Sequence, residues 1–522
     1  MIVGDILKHH AKRHPNKVAI VFGDRRYTYK KFLERVNRLA NALEDLGLTK
    51  GDRVCFLANN CPEYLEVLFA AARTGLIFVP ISFRFTSSEI LYVVRNAEPR
   101  VLFTSKGFRD RVEPIANQIE TIERVIYLGE KVDGMASYDD LINSHSPEEP
   151  GSKIEEDEDL MIYYTSGSTG NPKGVTLTHR LAYSSCINVS LGLGLNENDV
   201  ALLASPMYHG AGTWRFFSHL YIGGRVVILE RFDPVEVLKN IEKEKVTTIN
   251  LAPTAIILLL EAFESAKYDL SSLRIIASGA APLPVEILRK ATEAFGPKIM
   301  NVYGLTEALG GFLTYLEPGG YIHEGDPTEV RRRAFSCGRE AFNVDLRVVN
   351  PEGDDVRPGE IGEIIVRQSP DITMKSYWRL PEATKKILRN GWLYTGDLAT
   401  VDEEGYIFIT DRKDFMIISG GENIYPKEVE DIIYEHPAVR EACVVGIPDD
   451  KWGEAVKALL VLKEGIHVTE SDIITFCKQH MAGYKAPKSV EFLSELPKDA
   501  VGKILRKKIK DSYYEKGGQI TN

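Results

Sequence analysis

Residues 163–180, YYTSGSTGNPKGVTLTHR, crowd hydroxyl side chains and glycines ahead of a lysine. Thr165, Ser166, Ser168 and Thr169 offer hydroxyl donors, Gly167 and Gly170 allow close backbone approach, and Lys173 adds a positive charge. Together they suit the binding of phosphate groups, whose oxygens want converging N–H and O–H donors and a cation. A flexible linker is the bland alternative, but apolar LMIYY leads in and VTLTHRLAYSSCI leads out, so the segment joins structured elements. A hydrolase nucleophile turn needs G-x-S-x-G, and Ser166 stands where its first glycine should be. The Walker pattern G-x-x-x-x-G-K-[ST] is also absent, since Ile504 follows Gly502-Lys503. A phosphate loop of another kind survives these tests.

The elements that must position this loop are read from hydrophobic spacing. Thr28 is placed to cap a helix whose Phe32, Val36, Leu39, Leu43 and Leu46 share one face, with Gly47 as its stop. RVCFLA (53–58) reads as a buried strand, and YLEVLFAAARTGLIFVPI as a helix running into another strand. GRVVILE, TTINL, LRIIASG and KIMNVYG then read as strands alternating with helices. This alternation predicts an α/β fold with a parallel sheet covered by helices. From about residue 340, VDLRVVN, GEIIVRQ and GYIFITDR are separated by turn residues and predict a small antiparallel β unit. A boundary falls near Lys413–Asp414, giving a large domain of residues 1–413 and a small α+β domain of residues 414–522. The acidic run EEDED (155–159) reads as a solvated connector.

A chain of 522 residues is too long for one core. The net charge of −10 argues against general nucleic-acid binding, which needs a basic face. The six cysteines form no CxxC or zinc-like cluster and read as buried, reduced thiols of a cytoplasmic enzyme. The first residues lack an apolar run of signal-peptide length and read as a short amphipathic helix. AIILLL (255–260) is too short to span a bilayer.

YTSGSTGNPKGVTLTH resembles the signature loop of the class I adenylate-forming superfamily, which includes acyl- and aryl-CoA synthetases. PMYHGAG (206–212), SGAAPLP (278–284), VYGLTEA (302–308), GWLYTGDLA (391–399), DRKDFMIISGGENIYPKEVE (411–430) and PKDAVGKILRK (497–507) follow in family order. The resemblance covers most of the chain and is strongest to bacterial fatty-acyl-CoA synthetases. It implies activation of a carboxylic acid by ATP and Mg²⁺ to an acyl-adenylate, followed by thioester formation with coenzyme A. By resemblance, Thr165, Ser166, Gly167, Ser168, Thr169, Gly170 and Lys173 embrace the phosphates, Thr306 contacts the α-phosphate, and Glu307 with Thr165 holds the metal. Tyr303 with Ala280, Ala281 and Pro282 sandwiches adenine, while Asp397 and Arg412 take the ribose. Lys503 carries the first half-reaction, Asp414 is the hinge of a mobile small domain, and Gly420, Gly421 and Trp452 line the route of the pantetheine arm.

His209, Trp214, Ala308 and Gly310 are placed by the same resemblance at the acyl pocket, with His209 positioning the carboxylate. No charged residue stands out to bind a polar tail, which favours an apolar monocarboxylate. Aryl or alicyclic acids, a free carrier protein as acyl acceptor, and a nucleotide-binding protein without activity are the alternatives. Asp499-Ala500-Val501-Gly502-Lys503 departs from the family's usual threonine before Gly-Lys, so the docking of this loop is expected to differ. Arg506, Lys507, Lys508 and Lys510 are expected to be solvated surface.

Overall fold

Thr28 accepts a hydrogen bond from Lys31 N at 3.2 Å and starts the helix Tyr29–Asp45, as its spacing predicts. Gly47 takes φ +80° where that helix ends, a conformation that glycine adopts without strain. Pro62–Thr74 ends the same way on Gly75 at φ +73° and passes directly into the strand Ile77–Pro80. The computed structural model describes residues 2–129, 136–165, 171–265, 267–279, 281, 283–308, 311–320, 333–499 and 502–515.

The expected strands assemble into two large mixed sheets. In the first, Ile299–Tyr303, Ile275–Ser278, Thr248–Leu251, Val200–Leu203, Arg225–Ile228 and Val18–Phe22 lie side by side and parallel. Thr314–Leu316 and Arg25–Thr28 add antiparallel strands on either side of this run. In the second, Asp159–Thr165, Ile77–Pro80, Arg53–Leu57, Val101–Ser105 and Arg124–Leu128 are parallel. Their continuous apolar runs fit strands covered on both faces. Phe216, Phe217 and Leu220 of the helix Gly210–Tyr221 join the core formed with Phe69 and Phe78 of the second sheet's layer.

Leu346–Val349, Gly362–Arg367, Trp392–Val401 and Ile407–Arg412 form the antiparallel unit predicted after residue 340. The smaller C-terminal domain has its own sheet, in which Ile417–Ser419, Gly453–Leu462 and Val439–Asp449 are neighbours and Ser489–Phe492 joins in parallel. Val429 and Ile433 of the helix Pro426–Glu435 are buried in its core, while Ile432 is half-buried.

The acidic run is less solvated than its composition suggests. Arg180 pairs with Glu156 at 2.5 Å and Asp157 at 2.6 Å, Lys375 pairs with Asp159 at 2.8 Å, and Lys50 pairs with Glu158. Asp159 opens a strand, so the segment is a docked connector. Among the described residues, no helix is long and apolar enough to cross a membrane.

Candidate active site

The strands on either side of the hydroxyl-rich segment pair with one another. Asp159–Thr165 pairs antiparallel with Lys173–Thr178, and Thr165 lies opposite Lys173. Ser166, Gly167, Ser168, Thr169 and Gly170 lie outside the described residues, as do Ala280, Pro282, Gly310 and the side chain of Trp214. Walker loops join a strand to a helix, whereas this loop returns to the sheet, which explains the failed match.

His209, Ala281, Thr306 and Glu307 stand beyond the C-terminal ends of parallel strands, where α/β sheets bind ligands. Val200–Leu203 leads to His209, and Ile275–Ser278 leads to Ala281. Ile299–Tyr303 leads to the turn Thr306–Ala308, which contains Glu307. Thr306 is half-buried and Ala308 is buried in that turn.

Thr395-Gly396-Asp397 would read alone as a turn, but it is a bulge within the strand Trp392–Val401. Gly396 takes φ +75°, its N–H donates to Glu363 Oε1 at 3.0 Å, and Thr395 Oγ1 donates to Ile364 O at 2.8 Å. Asp397 is thereby fixed in the site, where its two carboxylate oxygens accept from different partners. Tyr303 donates its hydroxyl proton to Oδ2 at 2.7 Å, and Arg412 Nε donates to Oδ1 at 2.8 Å. The Asp397 carboxylate raises the pKa of Arg412, holding its charge against the cost of burial.

Lys503 comes from the small domain, on a loop that docks against the large one. Its backbone N–H donates to Asp499 Oδ1 at 2.9 Å, and Lys498 bridges to Ile504 across the loop. Gly502, at φ +85°, presses against the large domain: a Cβ there would stand 2.2 Å from Thr254 Oγ1. Thr254 donates to Gly502 O at 3.2 Å and Arg84 Nη1 to Asp499 O at 2.8 Å, so the loop docks without the family's usual threonine. The Lys503 side chain stays reachable by solvent, but lost solvation in the cleft and the Arg412 charge lower its pKa, against the pull of Asp397 and Asp499. His209 is half-buried; burial lowers its pKa, Lys503 adds to the effect, and Asp499 opposes it.

Glu307 accepts a hydrogen bond from Tyr377 OH at 2.7 Å, and Lys173 Nζ lies 5.3 Å from the Tyr377 ring centre. The Glu307 carboxylate, on a turn packed against the strand Lys173–Thr178, and the Thr165 hydroxyl, on the strand paired with it, are hard oxygen donors of the kind that suit Mg²⁺ completed by phosphate oxygens. Tyr377 was missed in the sequence because nothing in SYW signals a contact with Glu307. Arg506 corrects the expectation of solvated surface: it pairs with Glu430 at 2.6 Å and Asp411 at 3.2 Å.

Gly420, Gly421 and Trp452 form a second cluster on the small domain. Gly420 at φ +62° and Gly421 at φ +86° make the tight turn between the strands Ile417–Ser419 and Glu422–Ile424. A Cβ on Gly420 would lie 2.8 Å from Trp452 Cε3, so packing as well as the turn requires glycine there. Asp414 is exposed in the short turn Lys413–Phe415. The helix after His209 also buries Arg215, at 1% exposure, where burial and nearby Arg274 lower its pKa to about 9.

The family described as AMP-binding enzyme matches residues 7–378, and that described as AMP-binding enzyme C-terminal domain matches residues 428–503. The chain belongs to this family of adenylate-forming enzymes. It is similar to a feruloyl-CoA synthase of an Amycolatopsis species, 37% identical over 501 residues covering 96% of each chain. A long-chain-fatty-acid–CoA ligase of Bacillus subtilis is 36% identical over 538 residues, covering 97% of this chain and 93% of that one. The solved structure of an anthranilate CoA ligase with anthranoyl-AMP superposes with a TM-score of 0.90 at 30% identity, covering 98% of this chain and 97% of that one. The chain is accordingly an AMP-forming CoA ligase, taking ATP with Mg²⁺, a small carboxylic acid and coenzyme A.

Proposed function

We propose that the enzyme activates an apolar monocarboxylic acid and that the residues converging on Asp397 perform the first half-reaction. The observation that carries this is the loop of Lys503, docked from the small domain onto Thr254 and Arg84 of the large one, beside the convergence of Tyr303 and Arg412 on Asp397. A carboxylate oxygen of the acid attacks the α-phosphorus of ATP, the bond to the bridging oxygen breaks, and pyrophosphate leaves. Two anions are pressed together in this step, so a positioned cation lowers the barrier by charge neutralisation and alignment. Lys503 supplies that cation, Thr306 contacts the α-phosphate, and residues 165–170 with Lys173 hold the leaving group. Asp397 takes the ribose hydroxyls, Arg412 and Tyr303 keep its carboxylate in place, and Tyr303 with residues 280–282 faces adenine. Mg²⁺, when bound, supplies neutralisation of phosphate charge, and Glu307 and Thr165 are the groups to hold it.

In the second half-reaction the CoA thiol attacks the acyl carbonyl, loses its proton to solvent, and displaces AMP. The space Lys503 occupied must then open, which a small domain of residues 414–522 achieves by turning at Asp414 against a large domain of residues 1–413. Gly420, Gly421 and Trp452 are proposed to flank the pantetheine arm in that arrangement.

For the acid, a fatty chain is the first reading, supported by the Bacillus relative, with His209, Trp214, Ala308 and Gly310 at the pocket. A ring acid with a polar substituent is the second. It is favoured by the likeness to the feruloyl-CoA synthase. Pyrophosphate release with AMP, dependent on the acid, tests the reaction; release of ADP would overturn it. Lys503→Ala should suppress adenylation by orders of magnitude and spare thioester formation from supplied acyl-AMP. Comparing kcat/KM for octanoate, palmitate, benzoate and ferulate separates the two acids: preference for ferulate or benzoate refutes the fatty reading.

A further inference from the structure

Tyr377 touches two parts of the site that come from different sheets. The strand Ser376–Tyr377 pairs antiparallel with Lys173–Thr178, placing Tyr377 opposite Val175. Strand alternation puts Val175 and Lys173 on one face, which brings the Tyr377 ring beneath the Lys173 ammonium at 5.3 Å. The hydroxyl points the other way and donates to Glu307 Oε1 at 2.7 Å.

The residue is fixed for this task. It is 7% exposed, and its backbone N–H donates to Thr384 Oγ1 at 2.9 Å. The next residue, Trp378, donates its N–H to Gly174 O at 2.6 Å, locking the strand to the hairpin. Glu307 is held from its other end too, since its carbonyl accepts from Met374 N at 2.6 Å.

We propose that Tyr377 is a positioning residue that holds Glu307 by one carboxylate oxygen, leaving the other for Mg²⁺, and seats Lys173 beside the ATP phosphates. This rests on the roles proposed above for Glu307 and Lys173. One side chain thereby sets the spacing between the metal carboxylate on one sheet and the phosphate hairpin on the other.

Two substitutions separate its two contacts. Tyr377→Phe removes the hydroxyl and keeps the ring under Lys173; Tyr377→Leu removes both. Equilibrium ATP binding is measured by calorimetry without acid or CoA, once with excess Mg²⁺ and once with EDTA. Tyr377→Phe should weaken binding about tenfold in Mg²⁺, as expected for losing a hydrogen bond to a charged group, and leave binding in EDTA unchanged. The Mg²⁺ concentration for half-maximal pyrophosphate exchange should rise by a similar factor. Tyr377→Leu should weaken binding under both conditions.

Glu307→Gln and Lys173→Ala serve as controls for the underlying reading. If they leave Mg²⁺-ATP binding intact, the proposed site is wrong whatever Tyr377 does. If the controls behave and Tyr377→Phe binds as wild type, or loses affinity equally with and without Mg²⁺, the positioning role is overturned. Should Tyr377→Leu fail to fold, Tyr377→Phe still decides the Glu307 contact.

Discussion

Replacing Asp411 by Asn tests whether the small domain is latched where it presents Lys503. Asp411 lies near the end of the strand Ile407–Arg412 in the large domain and is 5% exposed. Its Oδ1 accepts from Arg412 N at 2.7 Å and from Arg506 Nη1 at 3.2 Å, and its Oδ2 accepts from Lys427 N at 3.1 Å. Arg412 belongs to the same strand, but Arg506 and Lys427 belong to the small domain. On the proposed hinge at Asp414, turning the small domain gives up both of those contacts. Asn keeps one acceptor and turns an NH₂ towards the other donor, so one contact is lost and the charge with it.

Removing a partner outright from a buried ion pair costs about 3–5 kcal/mol, whereas a hydrogen bond to a charged group contributes about 1.5–3 kcal/mol. The smaller range applies here, because Arg506 keeps Glu430, whose two oxygens both lie at 2.6 Å from Nη2. A loss of about 2 kcal/mol shifts the ratio of latched to rotated forms by about 30-fold. Acid-dependent ATP–pyrophosphate exchange in Asp411→Asn should fall by up to about that factor. Thioester formation from supplied acyl-AMP and CoA should hold or rise. Equal losses in both half-reactions would mean that Asp411 only supports the fold, and no loss in either would mean that no latch exists.

The lowered pKa of Lys503 makes its ammonium lose its proton at a lower pH than an ordinary lysine. Adenylation should therefore decline on the alkaline side before thioester formation does, and Lys503→Arg should move that decline to higher pH. Far from the site, Glu66 is fully buried and is held by Arg35 Nε at 2.5 Å, Arg35 Nη2 at 3.0 Å and Tyr138 OH at 2.5 Å. Arg35→Met leaves that carboxylate without its cation, so chemical denaturation should show a loss of about 3–5 kcal/mol with kcat little changed.

The strands and helices were legible because each is specified locally. Buried parallel strands such as Ile275–Ser278 and Ile299–Tyr303 are short apolar runs between amphipathic helices, and caps such as Thr28 act within one turn. The side chains of the site were legible in type but not in partnership. Asp397 lies 94 positions from Tyr303, and it faces the site only because a bulge opposite Ile364 turns it there. Arg506 looked solvated because Asp411 and Glu430, the acids that claim it, lie 95 and 76 positions away. The same holds for Tyr377, 70 positions from Glu307, which has no motif of its own and becomes visible only when its strand is laid against Lys173–Thr178. Local chemistry thus marks a phosphate loop and the family's motifs mark its partners, while sheet register decides which side chains touch one another. That division also explains why the acid stayed open. The helix after His209 is legible as a helix, but which of its side chains meet the acid depends on how it lies against the sheets, which its own residues do not state.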